Sequence, residues 1–174
     1  AKDMIFNKPH ESVAQSAINI KMLLLDVDGV LTDGNLYFSN SGEESKAFNS
    51  LDGHGIKMLQ SAGIQVGIIT GRTSELVAKR ASDLGIDLLY QGREDKLAAL
   101  GEIMAAVSIE AMEIAYAGDD FPDLPVLDQV GLGFSVANGH EDVKSIADAI
   151  TSRSGGHGAV REITDFLLQC QGIY

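Results

Sequence analysis

Short apolar runs alternate with stretches of helical spacing along the chain. The run Met22-Leu23-Leu24-Leu25 opens a strand expected over Met22–Val27, of the kind buried on both faces of a parallel sheet. Gln65–Ile69 reads as a second buried strand, and Leu88–Tyr90, Glu113–Ala117 and Leu132–Val136 read as further ones. Pro9–Ile20 has helical spacing at Val13, Ala17 and Ile20, with proline in the first turn. Helices are also expected over Gly55–Ala62, Thr73–Leu84, Glu94–Ala106 and Glu141–Ala147. A closing amphipathic helix follows over Ala159–Gln169, after a Gly/Ser loop at Ser152–Gly158. Thr73 is the expected N-cap of its helix, and Gly85 lies just past that helix's end. Asn35–Phe38 and Ser45–Phe48 alternate apolar and polar residues around Asn40-Ser41-Gly42, a β-hairpin signal. The alternation predicts an α/β fold: a doubly wound, mostly parallel sheet with helices on both faces and a small β-hairpin insertion.

At 174 residues the chain is expected to form a single domain spanning 1–174, without internal repeats. Its 45% hydrophobic and 22% charged residues are ordinary for a globular protein. A net charge of −12 argues against nucleic acid and against anionic membrane surfaces as partners. It leaves room for a small anionic substrate, because a metal ion can invert the field at one site. The only cysteine is Cys170, so no intrachain disulfide forms, which fits a reducing, cytoplasmic setting. No apolar run reaches the length of a membrane span, and the N-terminal segment lacks the apolar core of a signal peptide.

The candidate chemistry lies where strands end. The first strand runs into Asp26 and Asp28, with Gly29 permitting a turn. The second runs into Thr70-Gly71-Arg72. Lys96 begins the helix after Leu88–Tyr90, and Asp119, Asp120 and Asp123 follow Glu113–Ala117. In a parallel sheet these ends share one rim, where open α/β folds bind ligands. The set fits phosphoryl transfer through a covalent aspartyl phosphate. A carboxylate nucleophile divides hydrolysis into two displacements, and a second carboxyl handles the proton. A cation must offset the repulsion between carboxylate and phosphate. Mg²⁺ needs only one or two carboxylates beside the phosphate, and Asp26 and Asp119 can supply them. Lys96 and the Thr70 hydroxyl suit the phosphate oxygens. Taken singly, each has a plainer reading. Asp119-Asp120 and Thr70 also fit helix caps, Lys96 and Lys57 fit solvated helix faces, and Arg72 and Arg80 fit surface ion pairs.

In this order, Asp26-Val27-Asp28-Gly29-Val30-Leu31-Thr32, Ile69-Thr70-Gly71-Arg72, Lys96 and Gly118-Asp119-Asp120-Phe121-Pro122-Asp123 resemble the four motifs of haloacid dehalogenase superfamily phosphatases. The resemblance implies that family's Rossmann-like core. It implies Asp26 as nucleophile, Asp28 as general acid/base and backbone-carbonyl metal ligand, and Thr70 and Lys96 as phosphate ligands. It also implies Asp119 as the direct Mg²⁺ ligand, with Asp120 and Asp123 in support. Positions 29–69 and 71–95 are filled by the hairpin, two helices and the strands, which leaves no room for a cap domain. The whole chain is similar to the capless, tetrameric subgroup that acts on sugar acid phosphates. Lys46-Ala47-Phe48-Asn49, Asp52-Gly53-His54-Gly55-Ile56-Lys57 and Gly155-Gly156-His157-Gly158-Ala159-Val160-Arg161-Glu162 are supporting matches.

That resemblance implies a homotetramer with the hairpin at a subunit interface. Substrate contacts would come from Asp28, Asn49, Ser50, Leu51, Asp52, Gly53, Lys57, Arg72, Arg80 and Lys96, in part across a subunit boundary. The implied reaction is Mg²⁺-dependent hydrolysis of 3-deoxy-D-manno-octulosonate 8-phosphate, a step of lipopolysaccharide precursor biosynthesis. Leu51 departs from the arginine common in the subgroup, which keeps a nonulosonate 9-phosphate open as the alternative substrate. The subgroup also often carries a longer C-terminal tail than this chain, which ends at Tyr174. A receiver-type signalling module also uses Asp, Thr and Lys on a doubly wound sheet. Receivers, however, place adjacent acids after the first strand, whereas here the adjacent pair comes late.

Overall fold

The computed structural model describes residues 3–174. Its centre is β2 (Met22–Leu25), whose four residues are all buried. β2 pairs in parallel with β5 (Gln65–Ile69) on one side and with β7 (Ile114–Ala117) on the other. β6 (Leu88–Tyr90) extends the first side. β8 (Leu132–Ser135) and β9 (Ala149–Ile150) extend the second, all in parallel. β1 (Ile5–Phe6) closes the far edge antiparallel to β9. The order β1-β9-β8-β7-β2-β5-β6 runs outward from β2 in both directions, the doubly wound, mostly parallel sheet expected.

Alternate residues of the central strands feed two cores, as the pleat dictates. Leu23 and Leu25 face α1 (His10–Ile18), α2 (Ser50–Ser61), α3 (Glu75–Asp83) and α7 (Ala159–Cys170) through Val13, Ile56, Val77 and Ile163. Met22 and Leu24 face α4 (Lys96–Val107), α5 (Leu124–Gln129) and α6 (Glu141–Ile146) through Leu100, Val126 and Val143. A separate antiparallel hairpin, β3 (Tyr37–Phe38) with β4 (Glu44–Ser45), stands off the sheet after β2. Among the described residues, no helix is long and apolar enough to cross a membrane.

Several boundaries differ from expectation, each for a local reason. α2 begins at Ser50, not Gly55, with the Asn49 side chain accepting the Leu51 N–H at 2.8 Å. Gly53 and Gly55 lower helix propensity, but packing requires them. A Cβ on Gly55 would lie 2.2 Å from Thr164 Oγ1 of α7. The cap of α3 is Ser74 rather than Thr73, accepting the Leu76 N–H at 3.2 Å. The second hairpin strand is Glu44–Ser45, because Lys46 turns inward. α5 is an element the sequence pattern did not announce, since Pro122 and Pro125 sit across its start.

α2 and α7 are tied by a buried acid. Asp52 is 1% exposed, and its Oδ1 accepts the Arg161 N–H at 2.8 Å in the first turn of α7. Its Oδ2 is buried without a hydrogen-bond partner. Burial pushes the Asp52 carboxyl up to about 6, against the pull of that amide, Arg80, Arg161 and His157. A value above the unfolded chain's means that its stabilising contribution is complete at low pH and is lost as pH rises through 6. The Asp52→Asn variant should therefore gain stability relative to the parent between pH 4 and pH 8. The relative gain should approach about 3 kcal/mol at most, read as the pH dependence of the difference in Tm.

Candidate active site

The parallel register brings the strand ends to one level. Leu25 of β2 stands beside Ile68 of β5 and Ala117 of β7, so the next residues open into a shared crevice. The Asp26 N–H still donates to Ala117 O at 3.1 Å, which holds this residue at the sheet's end. The chain then turns at Gly29, whose φ of +89° favours glycine. A Cβ there would lie 1.9 Å from Asp119 Oδ2, so space as well as conformation excludes a side chain. The resulting cleft, about 510 Å³, is lined by Asp26, Asp28, Thr70, Arg72, Lys96 and Asp119, with Asp120 and Asp123 beside them.

Lys96 occupies the cleft floor. Its side chain is 4% exposed, and Nζ lies 3.2 Å from Asp26 Oδ1 and 2.7 Å from Asp123 Oδ1. Burial opposes its charge, but Asp26 and Asp123 outweigh it and raise its pKa. The buried Tyr116 hydroxyl donates a short hydrogen bond to the same Asp123 oxygen. Asp123 Oδ2 accepts the N–H groups of Asp119 and Asp120 at 2.9 and 3.2 Å. Both Asp123 oxygens are thus committed within the protein. Asp26 Oδ1 also accepts the Val27 N–H at 2.7 Å.

Ligand atoms of Asp26, Asp119 and Asp123 lie within 4.8 Å of one another. Burial first, and then Asp123, push the Asp26 carboxyl well above the usual carboxylate range, with Lys96 opposing. The same two causes take Asp119 to about 6. Three crowded carboxylates facing one ammonium are a donor set that fits a divalent cation bound through oxygen. With Asp123 occupied by its own donors, Asp26 and Asp119 are the carboxylates available to hold one.

Asp28 lines the cleft at its rim. Its Oδ1 is 2.7 Å from Lys46 Nζ, and its Oδ2 is 3.8 Å from Arg72 Nε. Glu44 Oε1 accepts from Arg72 Nη2 at 2.9 Å and lies 3.2 Å from Lys46 Nζ. Thr70 is buried at the end of β5, its N–H bonded to Tyr90 O at 2.9 Å.

The structure does not bring Asn49, Ser50, Leu51, Asp52, Gly53, Lys57 or Arg80 into this cleft. Asn49 caps α2, Asp52 ties α2 to α7, and Leu51 O accepts from Arg161 Nη1 at 3.3 Å. Lys57 is exposed near Tyr174, and the Arg80 guanidinium sits 5.8 Å from the centre of the Phe48 ring. Conversely, sequence reasoning gave no role to Lys46, Glu44 or Tyr116. Tyr116 carried a signal, since a tyrosine inside a buried strand needs a partner for its hydroxyl.

The chain is similar to known proteins over most of its length. The family profile described as haloacid dehalogenase-like hydrolase matches residues 86–163. The 3-deoxy-D-manno-octulosonate 8-phosphate phosphatase of Yersinia pestis is 46% identical over 169 residues, covering 97% of this chain and 90% of the relative. The protein of that name from Escherichia coli K12 is 48% identical, covering 92% and 85%. A crystal structure of the 3-deoxy-D-manno-octulosonate 8-phosphate phosphatase from Moraxella catarrhalis, in complex with magnesium, phosphate and KDO, superposes with a TM-score of 0.92. It is 43% identical and covers 94% of each chain.

Protons and a divalent cation compete for the Asp26–Asp119 pair. Cation affinity, measured by titration calorimetry, should fall as pH is lowered through 6. The fall should be about tenfold per pH unit for each proton displaced.

Proposed function

The chain belongs to the haloacid dehalogenase-like hydrolases, in the family of the 3-deoxy-D-manno-octulosonate 8-phosphate phosphatases, and from that premise we propose its reaction and its residues' roles. It hydrolyses 3-deoxy-D-manno-octulosonate 8-phosphate to the free sugar acid and inorganic phosphate, with Mg²⁺ as cofactor, in lipopolysaccharide precursor biosynthesis. The observation that carries this reading is the cleft floor, where one buried ammonium faces Asp26 and Asp123 beside Asp119.

Asp26 attacks phosphorus and forms the aspartyl phosphate. The Val27 N–H and Lys96 on its Oδ1 fix the carboxylate's orientation for that attack. Asp28 donates a proton to the departing sugar oxygen and then takes one from the water that hydrolyses the intermediate. Thr70 and Lys96 hold the phosphate oxygens. Asp26, Asp119 and the Asp28 main-chain carbonyl hold Mg²⁺, with Asp120 and Asp123 fixing the Asp119 loop. Bound there, Mg²⁺ neutralises charge shared between carboxylates and phosphate. Arg72 at the rim suits the substrate carboxylate.

Asn49, Ser50, Leu51, Asp52, Gly53, Lys57 and Arg80 act on substrate in a homotetramer, from a neighbouring subunit. Their position outside their own cleft supports that arrangement. So does the hairpin, where Leu36, Tyr37 and Phe38 are 50%, 43% and 59% exposed, an apolar surface suited to association. A phosphorylated sugar substrate and a single cysteine, Cys170, fit a cytoplasmic location.

Purified protein with Mg²⁺ should release phosphate from 3-deoxy-D-manno-octulosonate 8-phosphate in preference to other sugar acid phosphates. Preference for a nonulosonate 9-phosphate would overturn the substrate assignment. Asp26→Asn should lower turnover by a factor on the order of 10⁴ or more with an unchanged circular dichroism spectrum. In light scattering at micromolar concentration the parent should have the mass of four chains, and Phe38→Asp should shift it towards smaller species.

A further inference from the structure

We propose that Lys46, at the foot of the hairpin, is a positioning residue for the proton-transferring carboxylate Asp28; the inference rests on the phosphatase reading above. The Lys46 side chain is 2% exposed although it comes from a loop that stands off the sheet. Its ammonium is spent on two acids, Asp28 at 2.7 Å and Glu44 at 3.2 Å. Asp28 follows the end of β2 and lies on the turn, so no strand ladder fixes it. Among the described residues, its side-chain partners are Lys46 and Arg72. The two differ in kind. Arg72 is 44% exposed and reaches Oδ2 only to 3.8 Å, beyond a hydrogen bond. Lys46 is buried and holds Oδ1 in a charge-assisted hydrogen bond. Glu44 binds both cations through one oxygen.

The asymmetry divides the labour of the Asp28 oxygens. Oδ1 is tethered, and Oδ2 is the oxygen left to carry the proton. In the first step the Asp26 oxygen–phosphorus bond forms as the bond from phosphorus to the sugar oxygen breaks. The proton on Asp28 Oδ2 passes to that leaving oxygen. In the second step water attacks phosphorus, its proton returns to Oδ2, and the Asp26–phosphorus bond breaks. Proton transfer needs heavy-atom approach within hydrogen-bond reach, so a carboxylate swinging about its side-chain torsions loses rate in both steps. The Lys46 tether prevents that swing without touching substrate.

The test uses leaving groups that differ in their need for a proton. For aryl phosphates, kcat/KM reports the step in which the leaving group departs. p-Nitrophenolate leaves without help, whereas phenolate needs the proton. In Lys46→Met, kcat/KM for phenyl phosphate should fall about tenfold or more, while that for p-nitrophenyl phosphate should change by less than about twofold. Lys46→Arg should restore most of the loss. Equal falls for both esters would make Lys46 a phosphate contact or a structural residue, and would overturn the proposal. So would a loss confined to the sugar acid substrate, which would make it a substrate contact. If Lys46→Met does not fold, the same ratio is read in Lys46→Gln; failure of both to fold assigns a structural role and also overturns the proposal. Parent enzyme that turns over no phosphate ester with Mg²⁺ marks a different failure, that of the phosphatase reading itself.

Discussion

Burying an ammonium group costs several kcal/mol of hydration free energy, and Lys96 offsets it by facing Asp26 at 3.2 Å and Asp123 at 2.7 Å. The exchange binds distant parts of the chain. Lys96 starts α4, Asp26 directly follows β2, and Asp123 belongs to the segment between β7 and α5, so three crossovers meet at one charge. Asp123 then passes the constraint on, gripping the amides of Asp119 and Asp120 with its other oxygen. Removing Lys96 would leave two buried carboxylates uncompensated, a loss of about 3–5 kcal/mol for a broken buried pair. One ammonium still does not balance Asp26, Asp119 and Asp123. The residual negative charge makes the crevice a seat for a divalent cation in a chain whose overall charge would repel a phosphate ester.

The cleft is thus built in two electrostatic tiers. The floor is assembled by the sheet, where register fixes each carboxylate. The rim is assembled by Lys46 and Arg72, cations from the hairpin and from the loop after β5, cross-linked through Glu44. At the rim two cations face two carboxylates, Asp28 and Glu44, so the excess negative charge of the cleft is concentrated at its floor. The rim depends on a two-stranded hairpin, which draws little stability from its own ladder. Its position is tied to the rest of the chain by Lys46 on Asp28, Arg72 on Glu44 and the Tyr37 hydroxyl on Asp33.

Much of this was legible in the sequence, for identifiable reasons. Strands covered on both faces read as continuous apolar runs, so β2, β5 and β7 were clear, and with them the level at which Asp26, Thr70 and Asp119 emerge. Where propensity and packing conflict, the pattern misled. Gly53 and Gly55 hid the first turn of α2, because their value lies in the close approach of Arg80 and Leu84 to Gly53 and of α7 to Gly55, which no local window contains. Prolines masked α5, and two-residue strands such as β1 and β9 fall below any periodicity. Lys46 and Tyr116 were missed as site-builders because their partners, Asp28 and Asp123, are set by tertiary geometry. Asn49–Gly53, Lys57 and Arg80 lie outside the cleft, and nothing local in the sequence said so.

The short outer strands β1 and β6 have a further consequence for how copies of this chain can meet. A sheet propagates between molecules only where an edge offers a long, flat row of free amides and carbonyls. Here one edge ends in the two residues Ile5–Phe6, running against the rest, and the other in the three residues Leu88–Tyr90. Both are too brief to template a neighbour. The sheet is self-limiting, and contacts between copies fall to side-chain surfaces. The protein can thus present apolar residues on its hairpin with little risk of seeding fibrous growth through its main sheet.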